Sequence, residues 1–127
     1  MEADLPKSHQ LYLQRRALMD EGHAAEAVDA FTESAREEPR VKTLELLGEC
    51  LIRLGRLREA VVPLAAATMR NRGLRAPTLL AEVFVALDRP SDAADLVALA
   101  LARNPDYRRA RVLQERFNSA AEESGTR

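Results

Sequence analysis

The sequence has no tryptophan, a single cysteine, and aromatic residues at only 4% of its 127 positions. A lone Cys50 excludes an intramolecular disulfide framework and any multi-cysteine metal site. His9 and His23 are the only histidines. No nucleophile, base and orienting group fall at spacings that would bring them together, so catalysis is not expected. Glycine-rich phosphate loops, His-Glu zinc motifs and calcium loops are absent, which leaves no expected cofactor or metal. Neither sign of charge is in surplus, since the formal net charge is -1. A nucleic acid or an anionic membrane is therefore not an expected partner. The longest apolar run, 60–67, contains Pro63 and is too short to span a bilayer. The first ten residues, MEADLPKSHQ, lack the apolar core of a signal peptide, and cytoplasmic residence is expected by default.

Alanine and leucine, the strongest helix formers, dominate what remains. β-Branched residues are few and scattered, so no alternating strand pattern competes. A chain of this length buries roughly two-thirds of its unfolded surface, which suits one domain. Arginine supplies 17 of the 19 positive charges, and its rigid donor fork is suited to carboxylates.

An internal repeat organises these residues. Ala27, Ala60 and Ala93 are spaced by 33, as are Ser34, Ala67 and Ala100. Phe31, Leu64 and Val97 keep the same phase with bulky residues, as do Leu18, Leu51 and Phe84. Gly22, Gly55 and Asp88 recur where a helix can end and a turn begin. Each period reads as two helices. Leu44, Leu47, Leu51 and Leu54 form one apolar face, and Leu57, Ala60, Val61, Leu64 and Ala67 form the next. The spacing predicts helices over 7–20, 24–37, 41–54, 57–70, 74–87, 90–103 and 107–121, with a disordered tail over 122–127. Short linkers make neighbours antiparallel. Pro39 and Pro105 stop the second helix of a pair, and Pro90 suits a first turn. Pro63 is expected to kink the helix over 57–70, and Pro77 to delay the start of the helix over 74–87.

The pattern resembles the tetratricopeptide repeat, whose signature is W-x2-L-G-x2-Y, then A-x3-F, then P. The second repeat is the nearest match, through Leu44, Leu47, Gly48, Leu51, Ala60 and Leu64. The first contributes Leu11, Leu18, Ala27, Phe31 and Pro39, and the third Leu80, Ala81, Phe84, Ala93, Val97 and Pro105. The resemblance implies an all-α, right-handed superhelical stack of antiparallel helix hairpins, an α-solenoid of about seven helices. Its repeats cover about 8–40, 41–73 and 74–106, with a capping helix at 107–121, in a single domain over 1–127. Gln14 and Arg15 depart from the family pattern, and a long arginine there is expected to displace the first helix.

The resemblance further implies that the first helix of each pair lines a concave groove. Its groove positions fall on His9, Tyr12, Arg16, Met19 and Asp20 in the first repeat. They fall on Lys42, Glu45, Glu49, Ile52 and Arg53 in the second, on Arg75, Thr78, Glu82 and Val85 in the third, and on Arg108, Arg111 and Glu115 in the last helix. Tyr12, Met19, Leu46, Leu79 and Val85 are candidate apolar anchors. Lys42, Arg75 and Arg108 recur at 33, and so do Glu49, Glu82 and Glu115. These charges read either as a banded binding face or as pairs between adjacent helices. Relatives that hold a chaperone's C-terminal carboxylate use basic and amide residues at positions that read Tyr12, Arg16, Leu46, Arg75 and Leu79 here, so that mode is not expected. The expected role is a non-enzymatic adaptor or chaperone-like scaffold that binds a peptide or protein segment. The alternative is self-assembly into homo-oligomers through the terminal helices.

Overall fold

The computed structural model describes residues 23–70 and 73–125. It contains six helices: α1 (Ala24–Glu37), α2 (Val41–Arg53), α3 (Leu57–Arg70), α4 (Arg75–Ala86), α5 (Pro90–Arg103) and α6 (Arg108–Gly125). No strand occurs among the described residues. The predicted helix over 7–20, with Arg15 and the Gly22 turn, lies outside them. α6 continues to Gly125, past the predicted end at 121. Ala120, Ala121, Glu122 and Glu123 are good helix formers, and no proline intervenes.

Two turns repeat almost atom for atom. Gly55, with φ of 74°, and Asp88, with φ of 60°, both adopt the left-handed conformation. After α2, the Gly55 amide donates to the Ile52 carbonyl at 2.9 Å and the Arg56 amide to the Leu51 carbonyl at 2.8 Å. After α4, Asp88 donates to Val85 at 3.1 Å and Arg89 to Phe84 at 2.8 Å. Both are Schellman closures, which satisfy carbonyls that a helix end leaves open. The Arg89 guanidinium also sits 5.8 Å from the centre of the Phe84 ring. Aspartate adopts a left-handed φ less readily than glycine. Asp88→Gly is therefore expected to raise stability by about 0.5–1 kcal/mol, seen as a rise of a few degrees in melting temperature.

Prolines set the other ends. Glu38 and Asn104 precede Pro39 and Pro105 and are extended, with φ of -153° and -151°, so α1 and α5 stop there. Pro90 is the first residue of α5. Pro77 lies in the first turn of α4, which begins at Arg75, so the helix is not held back beyond the proline as expected. First-turn amides have no intrahelical acceptor, and a missing one costs little. α3 continues on both sides of Pro63, which forgoes only the bond to the Glu59 carbonyl.

The repeated columns are the core. Ala27, Ala60 and Ala93, Ser34, Ala67 and Ala100, and Phe31, Leu64 and Val97 are each fully buried. Small residues bring paired helices close, and the bulky column fills the space between them. Gly48 of α2 makes the tightest approach: a Cβ there would lie 2.5 Å from both Cγ and Cδ2 of Leu64 on α3.

A third column runs along the starts of α1, α3 and α5. His23 lies 3.6 Å from Glu26, Arg56 pairs with Glu59, and Arg89 meets Asp92 at 2.8 Å. Each acid stands in a first helical turn, where the helix dipole favours negative charge. The bond from Arg56 holds the Glu59 carboxyl below its ordinary range.

Each helix packs on the next. In addition, α2 closely approaches α4 and α4 approaches α6, whereas the backbones of α1 and α3, and of α3 and α5, stay apart. Helices α2, α4 and α6 therefore crowd along one side and the others splay apart on the opposite side. The stack of hairpins curves, with α2, α4 and α6 on its inner face.

Candidate functional site

The inner face carries most of the candidate groove residues, but Glu49, Arg75 and Glu82 are already engaged in ion pairs. Arg75, at the start of α4, forms an ion pair with Glu49 of α2. Arg109, near the start of α6, donates from Nε and Nη2 to the two carboxylate oxygens of Glu82 on α4, each at 2.7 Å. That fork-on-fork geometry raises the proton affinity of Arg109. Both pairs carry an acid of one repeat to the first turn of the helix that begins the next. Glu49 and Glu82 therefore belong to the inter-repeat joints and do not form a free acidic band.

Glu45 lies beside the first joint. Its carboxylate lies close to the Ala76 amide, in the first turn of α4. Leu74, which precedes that helix, offers no side-chain cap of its own. Burial pushes the Glu45 pKa up, against the opposing pull of Arg75, Lys42 and the Ala76 amide. A carboxyl whose pKa is higher folded than unfolded favours folding fully below its unfolded pKa, and loses that contribution as pH rises through its folded value. Glu45→Gln keeps the shape of the side chain and removes the buried charge. Urea unfolding should show the glutamine variant at least as stable as the parent at pH 7, with its relative advantage shrinking at pH 4.

The remaining candidates divide clearly. Lys42, Arg53, Arg108, Arg111 and Glu115 are exposed, and Ile52 and Val85 are half-buried. Thr78 is fully buried, and its hydroxyl donates to the Leu74 carbonyl at 2.7 Å, so it offers nothing to a partner. Leu46 and Leu79 are buried in the main core and are not surface anchors. An inner-face helix packs on several neighbours at once, so residues beside its main apolar stripe are also enclosed. Tyr12, Arg16 and Met19, with His9 and Asp20, lie outside the described residues.

Arg109 was not a candidate, because the repeat phase points to Arg108. A signal was present: Glu49 and Arg75 are 26 residues apart, and Glu82 and Arg109 are 27 apart. The basic and acidic pairs that open α1, α3 and α5 could also have been read from the 33-residue period.

Cys50 is fully buried, as its helical phase predicts, and burial pushes its thiol up to about 11. Such a thiol is protonated and enclosed at neutral pH and makes a poor nucleophile. Among the described residues, no group of three or more His, Cys, Asp or Glu could hold a metal ion. No described helix is long and apolar enough to cross a membrane.

No protein-family model matches the sequence, and no curated protein matches it. Solved structures do resemble it. YrrB, described as a TPR protein with an unusual peptide-binding site, superposes with a TM-score of 0.80 at 17% identity over 90% of this chain. The chain spans 60% of the YrrB chain. The first TPR domain of human RPAP3 gives a TM-score of 0.81 at 17% identity, covering 94% of this chain and 97% of that one. The Yersinia enterocolitica type III secretion translocator chaperone SycD gives 0.77 at 19% identity, covering 97% and 95%. With its buried 33-residue columns and its inner row of first helices, the chain has the tetratricopeptide-repeat fold.

Proposed function

We propose that the chain is a non-enzymatic scaffold, adaptor or chaperone-like, that holds a peptide or protein segment against its inner face. One observation carries this reading. α2, α4 and α6 touch in series, so they line one continuous curved surface. Lys42 and Arg53 on α2 and Val85 on α4 remain at least partly open on it. YrrB has a peptide-binding site and SycD is a chaperone, and both lend support by analogy of fold.

The engaged glutamates change how the reading is tested. Reversing Glu49 or Glu82 would set like charges against Arg75 or Arg109 and disturb the joints themselves. The exposed cations Lys42 and Arg53 lie outside both of these ion pairs. A partner captured from source cells should bind a K42E/R53E variant about tenfold or more weakly, with the helical content of the variant unchanged. Met69→Lys, on the outer face, should bind as the parent does. Equal capture by parent and double variant would refute the inner-face assignment.

A further inference from the structure

The inter-repeat joint has a third copy with nothing in it. Glu49 receives Arg75, and Glu82 receives Arg109. Glu115 is the next member of the same 33-residue series, and it is exposed with no ion pair to any described residue. The apolar residue beside each acid behaves likewise. Leu46 and Leu79 are 5% and 2% exposed, while their equivalent, Val112, is 48% exposed. α6 therefore presents the face with which α2 joins α4 and α4 joins α6, and no described helix follows it.

That face is self-complementary. Arg108 and Glu115 are both exposed and lie seven residues apart, about 10 Å along the helix. They border one shallow cleft of about 400 Å³, with Asp106, Arg111 and Val112. Opposite charges two turns apart on an open helix face pair reciprocally when a second copy is laid antiparallel. A two-fold axis passing between Arg111 and Val112 sets Arg108 of each copy against Glu115 of the other. The Arg111 stem then covers Val112 of the facing helix while its guanidinium reaches solvent.

We propose that the α6 face is the interface of a two-fold, tail-to-tail homodimer held by two reciprocal Arg108–Glu115 pairs around Val112. Such a contact is isologous and closes on itself, so it yields dimers and not filaments. One helix face is smaller than the ~800 Å² per partner of a standard interface, so the dimer is weak. The proposal uses the end of the stack and does not depend on the inner-face reading.

Sedimentation velocity on the full chain, from low-micromolar to submillimolar concentration, tests it. The parent should shift from monomer to dimer mass. Glu115→Arg and Arg108→Glu, both at exposed positions, should each weaken dimerisation by about tenfold or more, because each sets like charges together twice. Mixing the two variants should restore the dimer, since every pair is then opposite in sign. K42E/R53E should dimerise as the parent does, which separates this interface from the inner face. A parent that stays monomeric throughout, single variants that dimerise as well as the parent, or a mixture that stays monomeric would each overturn the proposal.

Discussion

Gly48→Val is expected to lower the free energy of unfolding by about 3 kcal/mol, among the largest effects of any single substitution in this chain. Intrinsic propensity argues the other way, since replacing a mid-helix glycine with alanine gains about 1 kcal/mol. Packing decides the sign. A Cβ at this position would sit 2.5 Å from the Cγ and Cδ2 of Leu64, and Leu64 is fully buried. Its Cγ is bonded close to the backbone, so α3 itself must move away. Gly48→Ala should therefore cost a net 1–2 kcal/mol or so, and valine more, because its branch points into the same space. Chemical denaturation followed by circular dichroism measures both. Pairing Gly48→Ala with Leu64→Ala should cost less than the sum of the single changes, because the truncated residue makes room for the added methyl.

Phe31→Ala is expected to cost about 3–5 kcal/mol, equivalent to a fall of roughly 10–20 °C in melting temperature. Phe31 is fully buried on α1 and belongs to the cluster that joins α1, α2, α3 and α4. It is the largest member of the column it shares with Leu64 and Val97. Its loss removes a large apolar surface and leaves a cavity that α1, whose backbone approaches only α2 closely among the described helices, can fill only by moving inward. The transition should also broaden, because contacts in a repeat stack are mainly between neighbours and an end helix can loosen before the rest. Calorimetry reads both effects. A fall of less than a few degrees would contradict the assigned core.

The core was legible because size and spacing carry it. Alanine or serine at one phase and a bulky residue at another repeat at the same interval, and burial follows directly. The turns were legible for a similar reason: left-handed backbone at Gly55 and Asp88 selects few residue types. The inner face was harder to read. Its charges were visible in the period, but a linear pattern does not say whether an acid looks to its own helix, to solvent or to the next repeat. Glu49 and Glu82 look to the next repeat. The step from Arg108 to Arg109 shows the cost of following phase alone, since a one-residue shift along α6 changes which guanidinium reaches Glu82. Leu46, Leu79 and Thr78 were misplaced for a related reason. A hydrophobic stripe predicts one buried face, and a helix packed on several neighbours hides more than one.

Surface chemistry offers the most direct test of the inner face. Lys42, one of two lysines in the chain, stands on α2. Met69, 87% exposed on α3, marks the outer face. Amine labelling and methionine oxidation of the free chain and of its complex with a captured partner, read by peptide mass spectrometry, report the two faces in one experiment. The account predicts that Lys42 is protected by the partner while Met69 oxidises at its free rate. Protection of Met69 with Lys42 still fully labelled would contradict it.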